Sequence, residues 1–488
     1  MNLISMNHAG RAKRIAALSA IAVVSILLAV TGIGCPPGKD SPPSVLLRNV
    51  DLAVGDWGLG EVSDKAGAEE GFQFAQILLY FNVLTKGSLQ DPSVVFSGDD
   101  NPLIQAPTSI QLTGDYTGND LYVADDGSDT VQIWRDYRDL VDDAKGQVST
   151  PADVVLDCDS SFVDDPFEIL NVDNRLYVSN GGGECLNPTK GPGIGSEGVL
   201  VFDNAGALVE SGPLEPTLLL NLPSPRGIAV VGDNLYVCSA GTNSNFPFSA
   251  TSTDCAVYVY EDIPGRIETV NGGTKGTDPL EPSVVLAGPS FLNLPSGEYP
   301  YRCDVWGNRL FVLGYFGLYV FDNADNLVDF QEPSAVIAYT TGTVGYLGDL
   351  KMVGNTLYVG DGYFPYPNGG FFKSLNQPSN ALKAEWPGLT AFRPGLEIES
   401  GQNALLAFDT INSQISEVTA MANEKDVLFV ASGLGECCGI PSGDVHIFYD
   451  ADTLSIVRPA DFVLPAYKDF ATAVAIDSND YFSPTPVP

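Results

Sequence analysis

Histidine is nearly missing from this chain. Only His8 and His446 occur in 488 residues. With a single histidine beyond the N-terminal segment, multi-histidine zinc sites and histidine-based nucleophile triads lack their parts. Neither a G-x-S-x-G elbow nor a phosphate-cradling P-loop occurs. C-x-x-C is absent too, so thiol oxidoreductase and haem-attachment chemistries lack their motif. Positive charge is scarce: Lys and Arg number 24 against 61 Asp and Glu, for a net charge of −37. A field of that sign repels phosphate backbones and excludes nucleic acid as a partner. It also opposes peripheral binding to anionic lipid, while suiting solubility, divalent cations or cationic partners.

What the chain does have is repetition. Seven prolines each enter a short β-branched run: Pro92, Pro151, Pro216, Pro282, Pro333, Pro394 and Pro459, in stretches such as "DPSVVF" and "EPSVVL". They recur about every 60 residues, the spacing of a structural repeat. Proline is tolerated at the first residue of a strand, where no ladder donor is missed. A second landmark follows each time, as in "GNDLYVAD", "DNRLYVSN", "GDNLYVCS" and "GNTLYVGD". Gly, Asn and Asp make a tight turn there, and the alternating Leu-Tyr-Val run starts the next strand. The third landmark is an aromatic strand ending in an acid or amide: "VQIWRD", "VLVFDN", "VYVYED", "LYVFDN", "VHIFYD". With a further strand before the turn, each unit supplies four short strands. That pattern predicts an all-β fold, a β-propeller.

Two ends of the chain complete one blade in this reading. The last proline-led unit has "ADFVL" and "ATAVAID" but no aromatic strand before the chain stops. Near the start, "NVDLAVGD" and "ILLYFN" look like the orphan strands it needs. Seven four-stranded blades, closed by N-terminal strands, follow. The fifth unit, where "YFPYPNGGFFKSLNQPSNALKAEWPGLTAF" interrupts the pattern, leaves six or eight blades as alternatives. The propeller domain is expected over 46–488.

"LYVADDGSDTVQIW" resembles the YVTN-type repeat, and "SPRGIAVVGDNLYV" is similar to NHL-type repeats. Both are β-propeller families frequent in exported bacterial proteins. The resemblance implies the fold and is silent about activity, since propellers host binding modules and enzymes alike. The first 35 residues carry a second resemblance. His8, Arg11, Lys13 and Arg14 precede the apolar stretch Ile15 to Gly34, and Cys35 follows. This looks like a bacterial lipoprotein signal peptide, with Cys35 as the lipidated residue. Gly32 stands where that family prefers Leu. The other reading is an uncleaved apolar anchor. Either one exports the chain, with "PPGKDSPP" in 36–45 as a flexible tether. The expected place is outside the cytoplasm, at the cell envelope.

Export bears on the cysteines. Apart from Cys35 there are seven. Cys238 and Cys255 flank one polar loop and are a candidate disulfide. Cys158 and Cys185 lie in two same-side loops of one unit and are another. Cys437 and Cys438 are adjacent and pair vicinally, pair elsewhere or bind a metal. Cys303, mid-strand, is expected to be a buried thiol, and His446 a surface residue. Gluconolactonase- and paraoxonase-like propellers hold Ca2+ in the axial channel with Asp, Asn and Glu, and hard oxygen ligands suit that ion. By that likeness Glu168, Asp304 and Asp349 are the metal-ligand candidates and Ca2+ the candidate cofactor. "ADDGSDT" (Ala124 to Thr130) lacks the twelve-residue EF-hand loop and its closing Glu.

No catalytic residue is named by these motifs, and the residues favour binding over catalysis. The leading expectation is a monomeric envelope binding module that meets a protein or carbohydrate at its long loops. A Ca2+-dependent lactonase- or esterase-like hydrolase and a structural envelope component are the alternatives.

Overall fold

Each Leu-Tyr-Val run lies in the middle of a sheet and is buried on both faces, which is why it carries no charged residue. In "RLYVSN" (Arg175–Asn180), Leu176 and Val178 pack toward the preceding sheet, and Tyr177 toward the following one. The same division holds for Leu235 and Tyr236, and for Leu357 and Tyr358. Sheets stacked face to face around an axis are the result. The computed structural model contains seven four-stranded antiparallel blades. It describes residues between 50 and 478, apart from 57–74, 98–103, 141–145, 186–196, 242–254, 272–280, 288–299, 339–346, 362–387, 433–443, 465–470 and some shorter stretches. Residues Arg48–Pro488 cluster as one unit.

The innermost strands of blades 1 to 6 are Pro107–Asp115, Pro166–Val172, Pro225–Val231, Pro300–Trp306, Leu347–Val353 and Val418–Glu424. Blade 7 joins the two ends of the chain. Its inner strand is Ala471–Ser478, and Val50–Asp56, Gln76–Tyr80 and Val94–Ser97 follow outward. The blade count is therefore seven, and the interrupted fifth blade supplies its third strand at the end of the long stretch, Leu389–Phe392.

The sequence unit and the blade are out of phase by one strand. The proline-led runs after Pro92, Pro151, Pro216, Pro282, Pro333 and Pro459 form the outer strand of the blade before them. Pro394 corrects the expectation: it caps the short helical turn Gly395–Glu397, and the outer strand of its blade is Leu406–Phe408. Leu218–Asn221, after Pro216, pairs with Gly198–Asp203 of blade 2. Val284–Ala287, after Pro282, does the same in blade 3. One buried apolar cluster fills each junction between neighbours.

Polar latches run across these junctions. The Tyr236 hydroxyl donates to the Ala324 carbonyl at 3.1 Å, and Tyr358 to Ala451 at 2.5 Å. Blade 4 has Phe311 at that position, and Arg309 takes over by donating to the Leu396 and Ile398 carbonyls of blade 5. Outer edges are covered too. Asp329 of blade 4 accepts from Val285 N–H of blade 3 at 2.8 Å, while Phe330 N–H donates to the Val285 carbonyl. Ser400 and Gly401 of blade 5 treat Val336 of blade 4 alike. At blade 7 the cover is a fifth, parallel strand, Gly146–Val148, beside Val94–Phe96. Unpaired strand edges invite association with other chains, and these contacts occupy them.

Candidate functional site

The seven blades repeat one irregularity at one height. Every inner strand has a register shift near its start, where it faces the end of the second strand. A β-bulge adds residues to one strand and re-aims side chains, commonly beside functional sites. The added residues are Thr108, Phe167, Tyr301, Thr419 and Thr472, with Arg226–Gly227 and Gly348–Asp349 opposing single residues in blades 3 and 5. Together they ring one end of the axis. The loops joining second and third strands leave from that same end.

The ring is not uniform. On blades 1 and 6 the bulged threonines do structural work. Thr108 donates to the Pro166 carbonyl at 2.9 Å, and Thr419 to Ala471 at 2.5 Å, each tying the start of the next inner strand. Blades 2 to 4 give up this bond. Phe167 and Tyr301 meet edge to face at 5.4 Å, and the guanidinium groups of Arg226 and Arg302 lie over the Phe167 ring at 5.0 and 5.5 Å. Arginine over an aromatic face is an electrostatic attraction that strengthens out of water. Burial pushes the Tyr301 hydroxyl up to about 12, so it stays protonated.

Deeper in the channel lie the three acids singled out as metal-ligand candidates. Glu168, Asp304 and Asp349 stand on inner strands of blades 2, 4 and 5. Glu168 accepts from Ile228 N–H of blade 3 at 2.6 Å and forms an ion pair with Arg302 of blade 4. That pair passes over blade 3, so both side chains face the axis. Burial raises the Glu168 carboxyl, and Arg302 pulls it back down. Asp349 accepts from its neighbour Leu350 N–H and from Met421 N–H of blade 6, at 2.8 and 2.7 Å. Asp304 accepts from Val305 N–H at 2.8 Å, and burial raises its carboxyl against the pull of Lys351. Gln111 and Ser109 of blade 1 bond the blade 2 inner strand in the same manner. The inner strand is the free edge of each sheet, and these side chains satisfy its N–H groups. The acids are thus engaged with protein donors and two cations. Among the described residues no group of three or more His, Cys, Asp or Glu is arranged to hold a metal ion.

The "DDGSD" hairpin has divided duties. Asp125 is buried and accepts from Gln105, Ala106, Gly127 and Ser128 N–H, at 2.6 to 3.3 Å. Burial still raises it to about 6. Asn180 and Ser239 end the second strands of blades 2 and 3 and do the same job. Asn180 accepts from Asp164 N–H at 2.6 Å, and Ser239 donates to the Pro223 carbonyl. In blades 1 to 3 the polar residue that ends the Leu-Tyr-Val motif therefore pins the incoming loop. Asp126 faces the next blade and hydrogen-bonds Asp165, which together with burial raises its carboxyl well above the usual range. Asp129 is raised by burial and by Asp164 and Asp165.

Cys158 and Cys185 are joined by a disulfide, with Cα atoms 5.3 Å apart. Asp157 caps the short helix Cys158–Ser161 that presents one of them. The Cys238–Cys255 bridge considered from the sequence does not form. Cys238 is paired with Val257, so Cys255 is its diagonal neighbour. Diagonal residues on antiparallel strands are about 7–8 Å apart, beyond the roughly 4 Å between Cβ atoms that a disulfide needs. Cys255 instead donates to the Ala240 carbonyl at 3.0 Å. Cys303 is buried, as expected of a mid-strand residue. His446 corrects another expectation: it is 1% exposed, because third strands are covered on both faces. Burial lowers its imidazole to about 4. Cys35, Cys437, Cys438, the segments 1–35 and 36–45, and most of the two long loops lie outside the described residues. No helix among the described residues is long and apolar enough to cross a membrane.

The bulge ring and the Asp126–Asp165 contact were not visible in the sequence, because their residues lie on different blades, far apart along the chain.

No family model matches this chain, and no curated protein matches it. Solved structures align at low identity. AztD from Citrobacter koseri is 12% identical over 88% of this chain and 98% of its own, with a TM-score of 0.38. Kuenenia stuttgartiensis hydrazine synthase is 12% identical over 70% and 76%, with a TM-score of 0.41. The Dos1 propeller is 12% identical over 80% and 78%, with a TM-score of 0.40. Likenesses at this level carry no activity, ligand or partner to this chain.

Proposed function

We propose that this chain is an exported binding module, anchored at the cell envelope through Cys35, that recognises a protein or carbohydrate with the loop-bearing end of its propeller. One observation carries the choice of face. The bulge ring is threonine on blades 6, 7 and 1, but Phe167, Arg226 and Tyr301 on blades 2 to 4. A repeat that gives up a structural bond in one sector has spent those positions on something local. The disulfide and the hairpin acids lie at the same end. Rigid scaffolds place recognition on such loops. Export is supported by the charged and apolar run before Cys35 and by the cysteine count.

The test is a screen of the purified chain against glycan and envelope-protein arrays, followed by carboxyl footprinting with and without a bound ligand. The expected result is protection of Asp129, Asp164 and Asp165, with Asp173 and Asp233 in the opposite turns unchanged. Protection confined to Asp173 and Asp233, or no ligand across the arrays, overturns the reading. Incorporation of labelled fatty acid into the chain, lost in Cys35→Ser, checks the anchor separately.

A further inference from the structure

Cys238 and Cys303 belong to different blades but meet at one junction. Cys238 lies in the second strand of blade 3 (Asn234–Ser239), opposite the bulged pair Arg226–Gly227. Cys303 lies in the inner strand of blade 4, on the face opposite Arg302 and Asp304. Gly227 makes the approach possible. A Cβ there would stand 2.6 Å from the Arg302 Cα and from the Tyr301 carbonyl oxygen, so only glycine lets the two inner strands pass this closely. The Cys303 Sγ consequently reaches 3.8 Å from the Tyr236 carbonyl and 4.0 Å from that of Gly227. Both thiols are buried in the apolar cluster of this junction, and the nearby Cys238 thiol, together with burial, pushes the Cys303 thiol well above its ordinary value.

We propose that Cys238 and Cys303 are a cross-link site, joined under oxidising conditions by a disulfide that ties blade 3 to blade 4. The other sulfurs near this junction do not compete, because Cys255 is directed at Ala240 and the Cys158–Cys185 pair is already closed. The step is a thiol–disulfide exchange. A small oxidised disulfide of the glutathione class accepts the electron pair and leaves as two thiols, which carry the two protons, while one S–S bond forms between Cys238 and Cys303. The closed junction excludes bulky oxidants, so the bond forms while blade 4 docks during folding. Its consequence is positional: it holds from behind the strand whose other face carries Arg302 and Asp304 into the channel. This cross-link is independent of the binding role proposed above.

The test is to refold the full chain in a mixture of reduced and oxidised glutathione, alkylate the remaining thiols in denaturant, and map a non-reduced Asp-N digest by mass spectrometry. That protease cuts before Asp233, Asp254, Asp278 and Asp304, so Cys238, Cys255 and Cys303 fall on separate peptides. The expected result is a linked pair of the Cys238 and Cys303 peptides, beside the Cys158–Cys185 pair. Recovery of both cysteines alkylated in a sample where Cys158–Cys185 is linked overturns the proposal, as does either one linked to Cys255. The double variant Cys238→Ala, Cys303→Ala should also lose a few degrees of Tm under oxidising conditions and nothing under reducing ones. An equal loss under both conditions would mean that packing, not the bond, is at stake.

Discussion

Tyr358 of blade 5 donates its phenolic hydroxyl to the Ala451 carbonyl of blade 6 at 2.5 Å, both groups being buried. The Tyr in the Leu-Tyr-Val motif is therefore more than a strand former. It reaches the turn that precedes the outer strand of the next blade. Tyr358→Phe keeps the ring and removes the bond, leaving a buried carbonyl short of a donor. The expected cost is about 1–2 kcal/mol, read as a lower midpoint in denaturant with an unchanged slope. An unchanged midpoint would deny the latch.

Glu168 and Arg302 span the channel from blade 2 to blade 4. Removing one partner of a buried pair strands the other charge, at roughly 3–5 kcal/mol. Glu168→Gln should be strongly destabilising, and so should Arg302→Met. The double variant should recover much of the loss. Additive losses in a double-mutant cycle would show that the two side chains do not act as a pair.

His446 gives a stability that depends on pH. Its folded value is about 4, against an ordinary 6.5, because burial disfavours the charged ring. The unfolded chain takes up the proton first as pH falls. Stability from this residue is therefore complete above 6.5, declines between 6.5 and 4, and is flat below 4. Asp125, raised to about 6, works in the opposite sense, losing stability as pH rises from about 3.8 to 6. The wild-type curve mixes these with the other raised carboxyls, Asp126, Asp129, Glu168 and Asp304, so the difference between wild type and His446→Leu is the measurement. That difference should grow in favour of the variant below 6.5, and parallel curves would contradict it.

The Cys158–Cys185 disulfide closes a loop of 27 residues in sequence separation. On the chain-entropy model such a closure stabilises by about 3–4 kcal/mol. Cys158→Ala with Cys185→Ala should lower the Tm of the oxidised protein by several degrees. Equal Tm values for variant and oxidised parent would show that the bridge constrains the unfolded chain little.

Much of the fold was legible because its signals are local. Gly and Asn at the turns, the Leu-Tyr-Val run and the proline before six of the seven outer strands all lie within a few residues of the structure they specify. The site was less so. Phe167, Arg226 and Tyr301 occupy one structural position but are three different residue types about 60 or more residues apart, so no motif connects them. Asp126 and Asp165 meet only because two blades pack side by side. His446 was misjudged on its residue type, although its neighbours held the correction. The corresponding third strand of blade 2 is "GVLVFD", apolar at successive positions, and a strand covered on both faces leaves no outward place for a polar side chain. Cys255 was matched to Cys238 because the two flank one loop on adjacent strands, and the diagonal register forbids what that placement allows.

The one-strand offset between sequence unit and blade bears on how such a chain lengthens. A copied unit brings an outer strand that finishes the sheet ahead of it, and three strands that wait for the outer strand of the unit behind. Whichever unit is duplicated or lost, the strands re-pair into whole sheets, and the two ends still meet in one blade. A unit cut out alone holds parts of two different sheets and cannot fold, so growth by whole units is available to the gene while independence of any single unit is not.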